Sequence, residues 1–213
     1  MPLFHRIFIT HNPPVWLANK MTIPSTHGTD PSIPRTGRIG RLAHIIEKEL
    51  DSDTLYRIMK DAHAFPTYTY PEKAAYMKTV IERLENSAGI DVAENIMKGC
   101  GYKCCGKTSQ NRARTLMKES TSLEECIEKL NKTGLGGGRL TMQDSHTITG
   151  GYDRCYCGQV KHTRVLFPSL TYCHCSTGWY AQLFETILGR PVAVDILQSI
   201  ICGADSCEFV IHL

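Results

Sequence analysis

The chain has 213 residues, 42% of them hydrophobic and 21% charged, with a formal net charge of +3. That composition supplies a core and argues against wholesale disorder, and no apolar run approaches the ~20 residues of a membrane-spanning helix. Residues 1–41 hold Arg6, Lys20, Arg35, Arg38 and Arg41 against Asp30 alone, so the remainder is nearly neutral and offers no electrostatic footprint for nucleic acid.

Residues 1–36 contain six of the ten prolines, among them Pro13-Pro14, Pro24, Pro31 and Pro34. That density supplies no helix and few ladder donors, and reads as a flexible leader; the basic residues of segment 1–41 read as a solvated arm. Met21 is an alternative start to Met1. The apolar stretch Leu3–Ile9 is interrupted by His5 and Arg6, which does not make a secretory signal. The ten cysteines are therefore expected as reduced thiols in a cytoplasmic protein.

Residues 37–133 read as helical. Asp53 is a candidate cap for a helix burying Leu55, Ile58, Met59 and Ala62. Thr69-Tyr70-Pro71 opens the next helix, with Ala74, Met77, Ile81 and Leu84 on one stripe. Asp91 begins a short helix that Gly99 ends. Ser122 with Glu125 forms a capping box before Cys126, Ile127 and Leu130, and Cys126 belongs to that helix's core face.

Residues 134–213 change period. Arg139–Ile148 reads as a strand turned by Gly150-Gly151, and Val160–Phe167 as a second strand stopped by Pro168. Trp179–Leu188 reads as a helix ended by Gly189. Val192, Val194 and Ile196 alternate in the next strand, and Cys207, Phe209, Ile211 and Leu213 in the last. Helices followed by an antiparallel sheet with one internal helix make an α+β protein, its helical region and sheet forming one domain. Gly134-Leu135-Gly136-Gly137-Gly138 follows a helix and precedes a strand, the reverse of a phosphate loop, and reads as a helix stop and flexible connection.

The chemistry lies in the cysteines. Cys155 and Cys157 form one C-x-C, and Cys173 and Cys175 another just before a helix. In extended backbone, residues i and i+2 point to the same face, so two such pairs supply four thiolates, the set favoured by structural zinc and by iron–sulfur clusters. Cys100, Cys104 and Cys105 are candidate further ligands, flanked by Gly99 and Gly106. A helix N-terminus beside Cys173 and Cys175, and Lys103 and Lys107 beside the other group, would favour thiolate. Redox dithiols, disulfides and inert buried thiols are the alternatives. Cys202 and Cys207 flank a turn and read as packed rather than paired. His174 is expected to be an ordinary exposed histidine, with His162 and His146 in strands.

Leu188-Gly189-Arg190-Pro191-Val192 and the ending Cys202-Gly203-Ala204-Asp205-Ser206-Cys207-Glu208-Phe209-Val210-Ile211 resemble the tail of the 4-vinyl reductase domain group and the related aminothiazoline-carboxylate hydrolase-like proteins. The likeness covers roughly Tyr172–Leu213. It implies helices packed on an antiparallel sheet, binding of small and often apolar molecules, and a recurrent cysteine at the position of Cys207. Cys155, Cys157, Cys173, Cys175 and the 100–105 group are not part of that general pattern and suggest a cysteine-rich branch.

The resulting expectation is a zinc- or iron–sulfur-binding domain that holds a small-molecule ligand, with a homodimer as an expected assembly. The alternatives are a thiol- or metal-dependent hydrolase or oxidoreductase and a protein-interaction domain whose metal replaces missing core.

Overall fold

The computed structural model describes residues 32–213. The leader and both candidate start codons lie outside those residues, apart from the leader's last few positions. Seven α-helices and four strands follow in order: α1 Gly37–Glu49, α2 Ser52–Ile58, α3 Tyr70–Ala88, α4 Ile90–Cys104, α5 Lys107–Lys118, α6 Leu123–Lys132, β1 Thr141–Asp144, β2 Thr147–Tyr152, α7 His174–Leu188, β3 Ala193–Gln198 and β4 Cys207–His212. The protein is α+β. Among the described residues no helix is long and apolar enough to cross a membrane.

Local chemistry sets the helix boundaries. Thr69 and Glu72 cap α3 reciprocally, and Glu72 Oε2 accepts from the Thr69 backbone N–H at 2.7 Å. Asp51 rather than Asp53 caps α2, accepting from the Thr54 N–H at 2.8 Å. Ser122 caps α6, but the Glu125 carboxylate accepts from Thr121 instead of closing the box on Ser122. α4 runs through Gly99 to Cys104, and the packing of the Gly99 position against Ile45 of α1 outweighs glycine's cost inside a helix.

The four strands form one antiparallel sheet in the order β1-β2-β4-β3. Gly150 and Gly151 are not its turn. They lie inside β2, opposite Phe209 and Glu208. A Cβ on Gly150 would come within 2.7 Å of Leu140, and one on Gly151 within 2.3 Å of the Cys207 carbonyl oxygen. These glycines permit close approach within a sheet. The hairpin turn is Ser145-His146, where Asp144 Oδ1 accepts from the His146 N–H at 2.7 Å. The expected strand Val160–Phe167 is also absent. Its first half makes local turns that return to Cys157 and Val160, only the Phe167 N–H reaches a distant partner, the Ile201 carbonyl, and Val165 and Leu166 are 61% and 59% exposed.

Two apolar clusters make up the interior. The first joins α1, α2, α3 and α4 through Ile46, Leu55, Ile58, Met77, Ile81, Leu84 and Ile96. The second joins α6, α7 and the sheet through Leu130, Ile148, Tyr180, Phe184, Phe209 and Ile211. Each fully buried side chain of this size contributes about 1.5–3 kcal/mol. The clusters are held together by α4 against α7. At Gly101 an added Cβ would lie 1.7 Å from the Cys175 carbonyl oxygen, and at Gly178 1.9 Å from that of Lys98. The two helices therefore touch backbone to backbone.

Gly101→Ala and Gly178→Ala should each destabilise the fold by about 1–3 kcal/mol or more, because rigid backbone must move. Gly99→Ala, two residues away with ordinary 3.8 Å contacts, should instead stabilise by about 0.5–1 kcal/mol through helix propensity. Urea midpoints of the three variants check the contrast, and equal effects at positions 99 and 101 would contradict the packing.

Candidate functional site

A cavity of about 300 Å³ opens where the two apolar clusters meet. Six of the ten cysteines line it: Cys104 at the end of α4, Cys155 and Cys157 in the loop after β2, Cys173 and Cys175 at the start of α7, and Cys207 at the start of β4. Both C-x-C segments and one member of the 100–105 group thus reach one space. Cys100 and Cys105 are buried in the adjoining core and do not line it. Cys126 is fully buried, as its helical face predicts.

The route to this arrangement differs from the expected one. Cys173 ends a 3-10 turn, and Cys175 lies in the first turn of α7, which begins at His174. Helical residues i and i+2 lie about 200° apart around the axis, so the two sulfurs do not share a face. Cys173 Sγ lies 2.9 Å from Ser199 Oγ, and Cys207 Sγ is 3.8 Å from the same hydroxyl. The sulfurs of Cys157, Cys173, Cys104 and Cys100 lie close enough to Cys175 to oppose its ionisation. Cys155 and Cys157 occupy non-regular backbone. All ten cysteines are free, so no disulfide joins neighbouring strands, and the Cys202 thiol donates to the Ser169 carbonyl at 3.0 Å rather than pairing with Cys207.

Several residues in or beside the cavity wall carried no sequence signal. Arg38 and Arg41 belong to α1 and not to a solvated arm. Arg38 Nη1 donates to Cys157 Sγ at 3.2 Å, and Arg41 Nη2 to Cys104 Sγ at 3.4 Å. The buried Arg41 Nε finds no partner among the described residues. Tyr172 places its hydroxyl 3.1 Å from Cys157 Sγ and 3.3 Å from Gln159 Oε1. Tyr152, Tyr156 and Trp179 add aromatic wall. Residues 134–137 of the glycine-rich segment form the wall facing Tyr152. A Cβ on Gly137 would meet the Tyr152 ring at 2.5 Å, and the Gly136 carbonyl accepts from Tyr180 at 2.8 Å. The segment is a fitted surface, not merely a connection.

The histidines stand outside the cavity lining. His174 is half-buried and lies 3.4 Å from Glu94 of α4, and burial lowers its pKa against the opposing pull of Glu94. His162 packs its ring 5.0 Å from that of Tyr70. His146 is in the hairpin turn.

Burial governs the sulfurs. It pushes the Cys100 thiol up to about 12 and those of Cys105 and Cys155 up to about 11. It raises Cys173 and Cys175 well above the ordinary thiol value, with neighbouring sulfurs adding to the effect at Cys175. The helix start and the lysines do not prevail, because desolvation of a thiolate outweighs a partial dipole charge.

Residues 40–213 match a family of unknown function. The chain belongs to that family, DUF6144. The match takes in α4, the C-x-C loop, α7 and the sheet, so every cysteine of the DUF6144 cavity falls within it. No curated protein and no solved structure matches the chain.

The donor set suits a soft metal, since thiolate is the ligand of zinc and of iron–sulfur clusters. A single tetrahedral zinc needs sulfurs about 2.3 Å from one point. Among the described residues no three His, Cys, Asp or Glu side chains are grouped to hold one ion.

A thiol whose folded pKa is raised stabilises the fold below its unfolded pKa and loses that contribution as pH rises through the folded value. The metal-free protein should therefore lose stability between about pH 9 and pH 12, the window set by Cys155 at about 11 and Cys100 at about 12. Urea midpoints against pH should fall over this range. Cys155→Ser should flatten the fall, and an unchanged slope in that variant would contradict the assignment.

Proposed function

We propose that this protein is a cytoplasmic small-ligand-binding domain whose cysteine cavity holds an iron–sulfur cluster. The observation carrying this reading is that six free sulfurs from four separate stretches of chain line one cavity of about 300 Å³. Thiolate donors suit zinc or an iron–sulfur cluster, and a cavity of about 300 Å³ gives room for the latter. Cys155, Cys157, Cys173 and Cys175 would hold it, with Cys104 and Cys207 as neighbouring sulfurs. When bound, such a group supplies electron transfer or a Lewis-acidic iron. The chain's own residues bury it, give it an aromatic surround and set Arg38 and Arg41 against thiolate charge. The resemblance of the C-terminal stretch to 4-vinyl reductase-like proteins supports a small-molecule site, because Cys207, the position of that group's recurrent cysteine, is part of the same lining.

Protein purified without oxygen should be brown and contain iron and inorganic sulfide in near-equal amounts. Replacing Cys155, Cys157, Cys173 and Cys175 together with Ser should abolish both. Metal-free wild-type protein with no loss of stability in the quadruple variant would overturn the proposal. Reconstitution should also release protons, since buried thiols must ionise to bind. Acid release in weakly buffered solution measures this, and a proton-neutral uptake would contradict thiolate ligation.

A thiol-dependent enzyme is the second reading, and one observation favours it. Cys157 alone has a guanidinium N–H and a phenol hydroxyl both within 3.2 Å of its sulfur. Two donors beside one sulfur mark it as the candidate nucleophile of this reading.

A further inference from the structure

Between Glu94 and Glu119 the chain holds no aspartate or glutamate but six cations, Lys98, Lys103, Lys107, Arg112, Arg114 and Lys118. The nearly neutral sum over the chain beyond residue 41 conceals this run. Four of the six belong to α5, and all four are exposed. At about 100° per residue, Lys107, Asn111, Arg114 and Lys118 fall within about 60° of one another, on a stripe about 17 Å long. Arg112 flanks it and donates to the Thr133 carbonyl at 3.3 Å, while Arg114 donates to Asn111 Oδ1 at 2.8 Å. Among the described residues none of the six is in an ion pair with a carboxylate.

These charges work against their own helix. Lys107 stands in the first turn, at the positive end of the helix dipole, with no acid beside it there, and Arg114 and Lys118 are like charges four residues apart. The inner face holds α5 in place instead, with Ala113 fully buried and Leu116 and Met117 half-buried against the sheet-side cluster. A partner that is itself a line of negative charge relieves both conflicts. The exposed face decides its kind, because it adds Thr108, Asn111 and Thr115 to the cations and shows no exposed aromatic or aliphatic side chain. A protein partner is anchored by buried aromatic or apolar groups, and a single strand by stacked rings, so neither finds a foothold. A lipid surface takes helices with an apolar face to insert, and that of α5 is already spent on the core. Lysine, arginine, threonine and asparagine are among the side chains that contact duplex phosphates. The major groove of B-DNA is about 12 Å wide and admits a helix, whereas the A-form groove of RNA is too narrow.

We infer that α5 docks on the sugar–phosphate backbone of duplex DNA without reading its sequence, with Lys107, Arg112, Arg114 and Lys118 on the phosphates. The cysteine cavity takes no part in this contact, which forms whether or not a metal centre is bound. Binding of this kind is driven by release of the counterions condensed on DNA, and its dissociation constant at ordinary salt is about 10⁻⁴–10⁻⁶ M.

The test titrates a fluorescein-labelled DNA duplex of about 20 base pairs with the full chain and reads fluorescence anisotropy over about 20–200 mM salt. Four neutralised phosphates predict that log K falls with log salt at a slope of about −3 to −4. Lys107→Gln, Arg114→Gln and Lys118→Gln together should weaken binding by about tenfold or more and bring the slope to about −1. Lys48→Gln, Lys60→Gln and Lys161→Gln remove the same charge at exposed positions elsewhere, and should leave affinity and slope nearly unchanged. Circular dichroism checks folding. If the α5 triple variant is unfolded, Lys107→Gln and Lys118→Gln singly decide, each reducing the slope by about one. No binding at the lowest salt, or equal losses in the two triple variants, would overturn the contact. Tighter binding of a single strand or an RNA duplex of equal length would overturn the choice of duplex DNA, as would a polyglutamate peptide that the duplex does not displace.

Discussion

α4 and α7 meet without side chains between them at two points, where Gly101 faces the Cys175 carbonyl and Gly178 faces that of Lys98. Most helix pairs lie 8–10 Å apart because side chains fill the gap. Here glycine removes that spacing. Because Cys175 is itself part of the contact, its sulfur is brought into the electrostatic reach of Cys100 and Cys104 on the facing helix. The same contact holds the helical cluster on the sheet cluster and so creates the seam in which the cavity opens. The sheet adds Cys207 through β4, and the loop after β2 adds Cys155 and Cys157.

Within this seam the sulfurs fall into two kinds. Cys173 and Cys175 are buried deeply, and burial favours their neutral thiol form. Cys157 and Cys104 lie at the side facing α1, where arginines three residues apart on one helix each donate to a sulfur. Residues i and i+3 lie on the same helical face, so one face of α1 provides both cations. Buried thiols favour a guest that compensates the cost of ionising them, as a metal centre does. A thiol bonded by fixed donors at an open side favours reaction with a diffusible molecule.

Much of the fold was legible because its signals are local. The stripe Ala74, Met77, Ile81 and Leu84 and the Thr69–Glu72 cap define α3 from a single stretch of sequence. The alternating Phe209 and Ile211 define β4 in the same way. The errors arose where tertiary packing decides. Gly150-Gly151 has the composition of a turn, but its glycines answer to Leu140 and to the Cys207 backbone, and neither is a sequence neighbour. His174 and Cys175 look like an approach to a helix and are already inside it. At the site, the cysteines announced themselves by type and spacing. Arg38 did not, because it stands 119 residues from Cys157, and nothing in a basic segment marks which guanidinium turns inward. The glycine-rich segment was equally silent, since its role as a wall depends on the Tyr152 ring lying against Gly137.

The whole site depends on convergence, with sulfurs distant in sequence sharing one space. A short homobifunctional thiol reagent applied to the folded, metal-free protein, followed by mass mapping, tests it directly. Bridges should join the peptide of Cys155 and Cys157 to that of Cys173 and Cys175, and either to Cys104, all lost in urea. Bridges confined to cysteines adjacent in sequence, with none between these peptides, would contradict it.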